Sequence, residues 1–266
     1  MLSASSLLPD SASSSSASSA VTRPLQRHSI YDVNLSAGRT IHRSSIGTLD
    51  SYLIEEYMSP SQADEVMWKV DGFVDYLSRN DPRMLFKIYG KSLEFPRDKA
   101  FYGNITVKNG VLVEPFYKYA KDTPSVKCWK GSVLEEVARD LDRTVGQPCN
   151  HVVVNQYQDG SDYVGAHHDK SATFHPGSCV LTLSLGGTRT LRLTCVKGAQ
   201  QGETHDLELN HGSLFVLGPE TNKYWKHSIL KNNKQEHRRV SLTYRHIDAV
   251  RTSKIDENSS DPAHQM

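Results

Sequence analysis

An α+β fold, with a β-barrel-like core and helices packed outside it, is the class this sequence predicts. Two observations carry the prediction. Up to Gly146, two segments repeat their apolar residues with the period of a helix. Beyond Gly146, six short segments alternate or run apolar, and Gly, Pro, Asn or Asp clusters separate them. Short strands at that spacing form an antiparallel sandwich or barrel, and a chain of 266 residues is long enough to bury its core.

The ends read differently from the middle. Ten of the first 20 residues are serine, which leaves too little apolar area to offset the entropy of ordering, so residues 1–48 are expected to form a disordered leader. Asp10 followed by Arg23 and Arg27 gives this leader a faint likeness to a mitochondrial presequence. Its first turns lack the charge and periodicity of one. Nuclear or cytoplasmic residence is the main expectation, with mitochondria the alternative. The folded domain is expected over residues 49–247, and residues 248–266 read as a flexible polar tail.

The first helix begins at Ser59-Pro60, an N-cap followed by proline at the first helical position. Ala63, Val66, Met67, Val70, Phe73, Val74 and Leu77 then keep helical spacing to about Ser78. The second begins at Ser132 with Glu135 three residues on, the pattern of a capping box, and stops at Gly146. The expected strands are His151 to Tyr157, Cys179 to Leu185, Thr190 to Cys195, Ser213 to Leu217, Tyr224 to Leu230 and Arg239 to His246.

Composition excludes several classes. No apolar run approaches the roughly 18 residues of a membrane span, and 31 Lys and Arg against 30 Asp and Glu exclude a uniformly basic coat. Four cysteines without a C-x-x-C pair make neither a disulfide framework nor a zinc ribbon.

The chemistry begins at Gly165-Ala166-His167-His168-Asp169. Residues two apart on a strand project to one face, so His167 and Asp169 can share a metal, whereas His168 points away. A further histidine from a later strand, His227, completes a 2-His-1-carboxylate triad, the open arrangement that suits Fe(II). Arg239, Ser241, Thr243 and Arg245 share the inward face of the last strand. Two inward arginines are costly unless an anion meets them, and a dicarboxylate fits because guanidinium grips carboxylate bidentately. Asn155 and Tyr157 share a strand face and can add neutral donors. His151, His175, His205 and His211 read as structural or exposed.

Over roughly Leu85 to Ile247 the sequence resembles the AlkB-type Fe(II)/2-oxoglutarate dioxygenases. The resemblance rests on Asn155-Gln156-Tyr157, Asp159-Gly160, the H-x-D, Pro176-Gly177-Ser178, Ser184-Leu185-Gly186, His211-Gly212-Ser213-Leu214, Thr221-Asn222, Trp225-Lys226-His227-Ser228 and the R-x-x-x-T-x-R strand. It implies a double-stranded β-helix (jelly-roll) core over about 150–247, flanking helices, and a nucleotide-recognition extension over about 80–130. It implies Fe(II) on His167, Asp169 and His227, and 2-oxoglutarate met by Arg239, Arg245, Asn155 and Tyr157, with Thr243 on the same wall; Arg239 is assigned the distal carboxylate. With O2, such enzymes decarboxylate 2-oxoglutarate to succinate and hydroxylate a nucleobase N-methyl group, which then leaves as formaldehyde.

The implied substrate is methylated DNA or RNA, acted on by a monomer. Tyr117-Lys118-Tyr119 matches the element whose second aromatic stacks on a flipped base, and Tyr89 stands where double-strand-acting members carry a wedge. Ordinary packing is the alternative for each. Basic residues cluster between Arg79 and Lys99 and between Lys223 and Arg239, and Lys231 and Lys234 read as phosphate contacts. After the H-x-D, where some repair members carry an acid, this chain has Lys170-Ser171-Ala172, which puts a preference for cationic 1-methyladenine or 3-methylcytosine in doubt. The competing functions are removal of RNA methyl marks, hydroxylation of a protein or lipid, and a silent nucleic-acid-binding module.

Overall fold

The computed structural model describes residues 43–45, 50–77, 79, 81–88, 91–118 and 123–255. Tyr89, Tyr119, most of the leader and residues 256–266 lie outside the described residues. Strands β1 (Arg43–Ser45) and β2 (Tyr52–Ile54) precede helix α1 (Pro60–Phe73). Strands β3 (Leu85–Ile88), β4 (Lys91–Glu94), β5 (Asp98–Gly103), β6 (Thr106–Lys108), β7 (Val111–Pro115) and β8 (Lys127–Cys128) lead to helix α2 (Val133–Val145). Then come β9 (His151–Tyr157), β10 (Val164–His167), β11 (Val180–Gly186), β12 (Arg189–Cys195), β13 (Thr204–Leu209) and β14 (Leu214–Leu217). Helix α3 (Pro219–Tyr224), β15 (Trp225–Ile229), β16 (Arg239–Arg245) and β17 (Val250–Lys254) complete the order.

Two sheets build the core. The larger runs β1-β2-β14-β11-β16-β9-β5-β8, and the smaller runs β10-β15-β12-β13. Their inner faces meet through Leu53, Phe215 and Leu217 on one side and Leu191, Leu193 and Trp225 on the other. The outer face of the larger sheet buries Leu181, Leu183, Val240, Leu242 and Tyr244 against Val70 of α1 and Leu134 and Leu141 of α2. The Tyr244 hydroxyl donates to the Leu134 carbonyl at 2.9 Å. Alternation along β16 therefore sends even-numbered residues to the helices and leaves odd-numbered ones for the space between the sheets. This is the jelly-roll core with flanking helices.

Local chemistry explains the helices. Ser59 accepts from the Gln62 amide and Gln62 returns the bond, a full capping box. Helix α1 ends at Phe73, short of Ser78, because the Leu77 amide turns to pair with the Lys99 carbonyl at 2.8 Å and joins β5. In α2 the Ser132 hydroxyl accepts from Leu134, but Glu135 reaches the Gly131 amide at 2.8 Å rather than closing a box on Ser132. Gly146 ends the helix at φ 74°, a left-handed conformation that suits glycine.

Both expected boundaries of the folded region are corrected. Arg43–Ser45 pairs with Tyr52–Ile54, inside the expected leader. Val250–Lys254, inside the expected tail, pairs with Val111–Pro115 along its whole length. Arg251 there joins Glu114 and donates to the Thr123 carbonyl at 3.1 Å. A strand that draws its stability from cross-strand bonds to β7, and not from its own apolar pattern, shows no periodicity to read.

Candidate active site

The sheets enclose a cavity of about 1040 Å³. His167 ends β10 and is the direct cross-strand partner of His227 on β15. Register alone thus brings the two rings to 4.2 Å between centroids. Asp169 lies beyond the end of β10, so strand alternation does not aim it. Asn222 of α3 does: its side chain accepts from the Asp169 amide and donates to the Asp169 carbonyl, both at 2.9 Å. Asp50 in turn caps α3, accepting from the Glu220 and Thr221 amides at 2.8 Å and from the Thr221 hydroxyl at 2.6 Å. Gly218 is required there, because a Cβ would stand 2.2 Å from the Asp50 carboxyl carbon.

The ligand-type atoms of His167, Asp169 and His227 all lie within 4.8 Å of one another. Asp169 Oδ1 is 3.6 Å from His167 Nε2 and 4.0 Å from His227 Nε2. His167 Nδ1 is 2.9 Å from the Gly165 carbonyl. A carbonyl only accepts, so Nδ1 donates there and Nε2 is the nitrogen that faces Asp169. Burial, with His167 beside it, pushes His227 down to about 3, so its ring is neutral. Burial alone would raise the Asp169 carboxyl. Arg245 foremost outweighs it and holds the group well below the ordinary carboxylate range. Two imidazoles and one carboxylate converging with room beside them form the donor set of an open ferrous site. His168 turns aside, its Nδ1 at 2.5 Å from the Asn222 carbonyl.

Arg239, Ser241, Thr243 and Arg245 all line the cavity, as do Asn155, Tyr157 and Tyr117. The two arginines differ. Arg245 Nη2 and Nε donate to Asp169 Oδ2 at 2.6 and 3.2 Å, and its guanidinium lies 4.5 Å from the Tyr117 ring centre. Arg239 is 1% exposed and donates to the Ser184 hydroxyl at 2.9 Å, yet its buried Nε and Nη1 meet no acceptor among the described residues. A buried cation with two unmet donors is expensive, and a carboxylate supplies what they lack. The residues present therefore fit 2-oxoglutarate. Asn155 is already engaged, accepting from Arg97 Nε at 2.9 Å and donating to the Ser241 hydroxyl at 3.4 Å.

The basic clusters resolve unevenly. Arg97 and Lys99 are buried in the cavity wall and are not surface phosphate contacts. Burial foremost, then Arg97 and Arg245, lower Lys99 well below its ordinary value. Arg79 is tied to Asp98 and Asp162, and Arg238 to Asp71 at 2.6 Å. Lys231 and Lys234 are exposed in the loop before β16, with Lys231 Nζ 4.6 Å from the Tyr163 ring centre. Sequence reasoning missed Asn222 and Asp50 as positioning groups. It also missed β5, where Lys99 pairs with Asn155 across the sheet and so faces the cavity.

A family profile described as the 2OG-Fe(II) oxygenase superfamily matches residues 50–245. The protein named DNA oxidative demethylase ALKBH2 in Mus musculus is 31% identical over 192 residues, 70% of this chain and 76% of that protein. Its Arabidopsis thaliana namesake is 29% identical over 199 residues, covering 65% of this chain and 60% of its own. The alpha-ketoglutarate-dependent dioxygenase alkB homolog 3 of Rattus norvegicus is 23% identical over 235 residues, covering 85% and 70%. The family works with Fe(II), 2-oxoglutarate and O2. With a family profile spanning most of its length and a relative above 30% identity, the chain belongs to the AlkB-type 2-oxoglutarate- and Fe(II)-dependent dioxygenases.

Proposed function

We propose that the protein removes N-methyl groups from nucleobases in DNA by oxidation, releasing formaldehyde. One observation carries the reading: two histidines and a carboxylate stand in one cavity with a buried arginine whose Nε and Nη1 meet no acceptor among the described residues. The names of the mouse and Arabidopsis relatives as DNA oxidative demethylases supply the substrate class. Bound Fe(II) and 2-oxoglutarate supply the oxidation of the methyl group by O2. The chain does the rest. His167, Asp169 and His227 would hold the metal. Arg239 takes the distal carboxylate of 2-oxoglutarate and fixes its orientation, and Arg245 holds the Asp169 carboxylate ionised and in place. Tyr157 and Phe215 help to wall the cavity from water.

Charge narrows the base. Among the described residues lining the cavity, Asp169 is the one acid, against Arg83, Arg97, Lys99, Lys170, Arg239 and Arg245. A cationic base has no carboxylate to meet it there, since Asp169 is committed to the metal and Arg245. Uncharged N-methyl bases such as 1-methylguanine and 3-methylthymine are the better fit. Mass spectrometry of single- and double-stranded oligonucleotides, each carrying one methylated base, tests both points. Demethylation favouring the uncharged bases supports the reading. A clear preference for 1-methyladenine and 3-methylcytosine contradicts the charge argument, and no demethylation of any member contradicts the function.

A further inference from the structure

We propose a second metal site, on the surface, formed by His175, His246 and Asp248 and suited to a divalent transition metal of the zinc class. The ligand-type atoms of these three residues lie within 4.8 Å of one another, the same limit met by the triad in the cavity. His175 Nδ1 is 3.1 Å from both Asp248 oxygens, and His246 Nε2 is 3.9 Å from Oδ1. The imidazoles stack with centroids 4.5 Å apart.

The backbone fixes this arrangement independently of the side chains. The His175 amide donates to the His246 carbonyl at 2.9 Å and the Asp248 amide to the Thr173 carbonyl at 3.0 Å, with Phe174 and Ile247 bridged between them. Two imidazoles and a carboxylate suit zinc, cobalt or nickel better than calcium or magnesium, which prefer oxygen throughout. His175 and Asp248 are about half exposed, so solvent can complete the coordination and the ion is held less tightly than in the cavity.

The position gives the ion a structural consequence. The loop carrying His175 leaves directly from Asp169, and His246 follows Arg245. Between them Phe174 packs against Tyr117 at 5.5 Å and lies 6.0 Å from the Arg245 guanidinium. An ion here clamps the loop to the end of β16 and steadies the wall of the cavity beside the triad.

Equilibrium binding of Co(II), followed by its visible absorption, tests the proposal on the full chain. Wild type is expected to take up two equivalents and His175→Gln one. Asp248→Asn should match His175→Gln, guarding against a single misfolded variant, and circular dichroism checks each fold. In His167→Ala, Zn(II) should still raise the melting temperature, and His175→Gln added to it should abolish that rise. One equivalent in wild type, or two retained in both His175→Gln and Asp248→Asn, would overturn it.

Discussion

Arg245 and Asp169 form a buried ion pair in which the carboxylate divides its oxygens: Oδ2 takes Arg245 at 2.6 Å, while Oδ1 faces the two histidine nitrogens. Both side chains are 6% exposed. Removing one partner of such a pair strands the other, at a cost of about 3–5 kcal/mol. Arg245→Gln is expected to lose stability on that scale in denaturant unfolding and to bind Co(II) in the cavity more weakly. A variant with unaltered metal affinity and only a raised 2-oxoglutarate requirement would move Arg245 to the co-substrate.

Arg239 should behave in the opposite way. Its two unmet donors are the proposed dock for a carboxylate, and a charge-assisted bond there is worth about 1.5–3 kcal/mol, roughly 10- to 150-fold in affinity. Arg239→Gln is therefore expected to raise the 2-oxoglutarate concentration needed for half-maximal succinate formation by that factor. Metal uptake should stay as in wild type. Titrating each separately distinguishes the arginines.

His151 gives a pH dependence. Burial foremost, with Arg245 near, pushes it from 6.5 to about 3, and its buried Nδ1 meets no hydrogen-bond partner among the described residues. Its folded value lies below its unfolded one, so the unfolded chain takes the proton first. Stability from this group is full above about pH 6.5 and falls with pH toward 3, by about 1.4 kcal/mol per pH unit. In metal-free protein His227 adds a second such group. Unfolding measured between about pH 4 and 7 should show this decline, flattened by roughly one proton in His151→Leu. An unchanged slope would place the uptake elsewhere.

Lys231 and Lys234 are exposed in the loop before β16 and have no part in the triad. Lys231→Gln and Lys234→Gln are expected to weaken oligonucleotide binding and to reduce its salt slope by about 0.7–0.9 for each phosphate no longer neutralised. The 2-oxoglutarate dependence should not move. If it shifts as far as in Arg239→Gln, the loop reaches into the cavity.

Much of the site is legible in the sequence because its residues sit on regular strands. Arg239 to Arg245 alternate as β16 requires, and His227 faces the cavity from β15. For Asp169 the alternation argument points to the right residue through a cause that does not operate. It lies past the strand end, and Asn222, held by the Asp50-capped turn of α3, sets its direction. That relation spans 53 residues and has no periodic signature. The partners of Arg97, Lys99 and Arg79 are illegible for the same reason. A basic residue in a sequence gives no sign of whether it ends in solvent, on an acid or in a cavity wall.

The most direct test supplies the protein with Fe(II), 2-oxoglutarate and an oligonucleotide carrying one N-methyl base, and counts succinate, formaldehyde and demethylated base together. Wild type is predicted to release formaldehyde in step with demethylated base. His227→Ala, folded by circular dichroism, should form none of the three, because it lacks a ligand the open site needs. Turnover retained in His227→Ala, or succinate formed by wild type with every base in the panel left intact, would contradict the account.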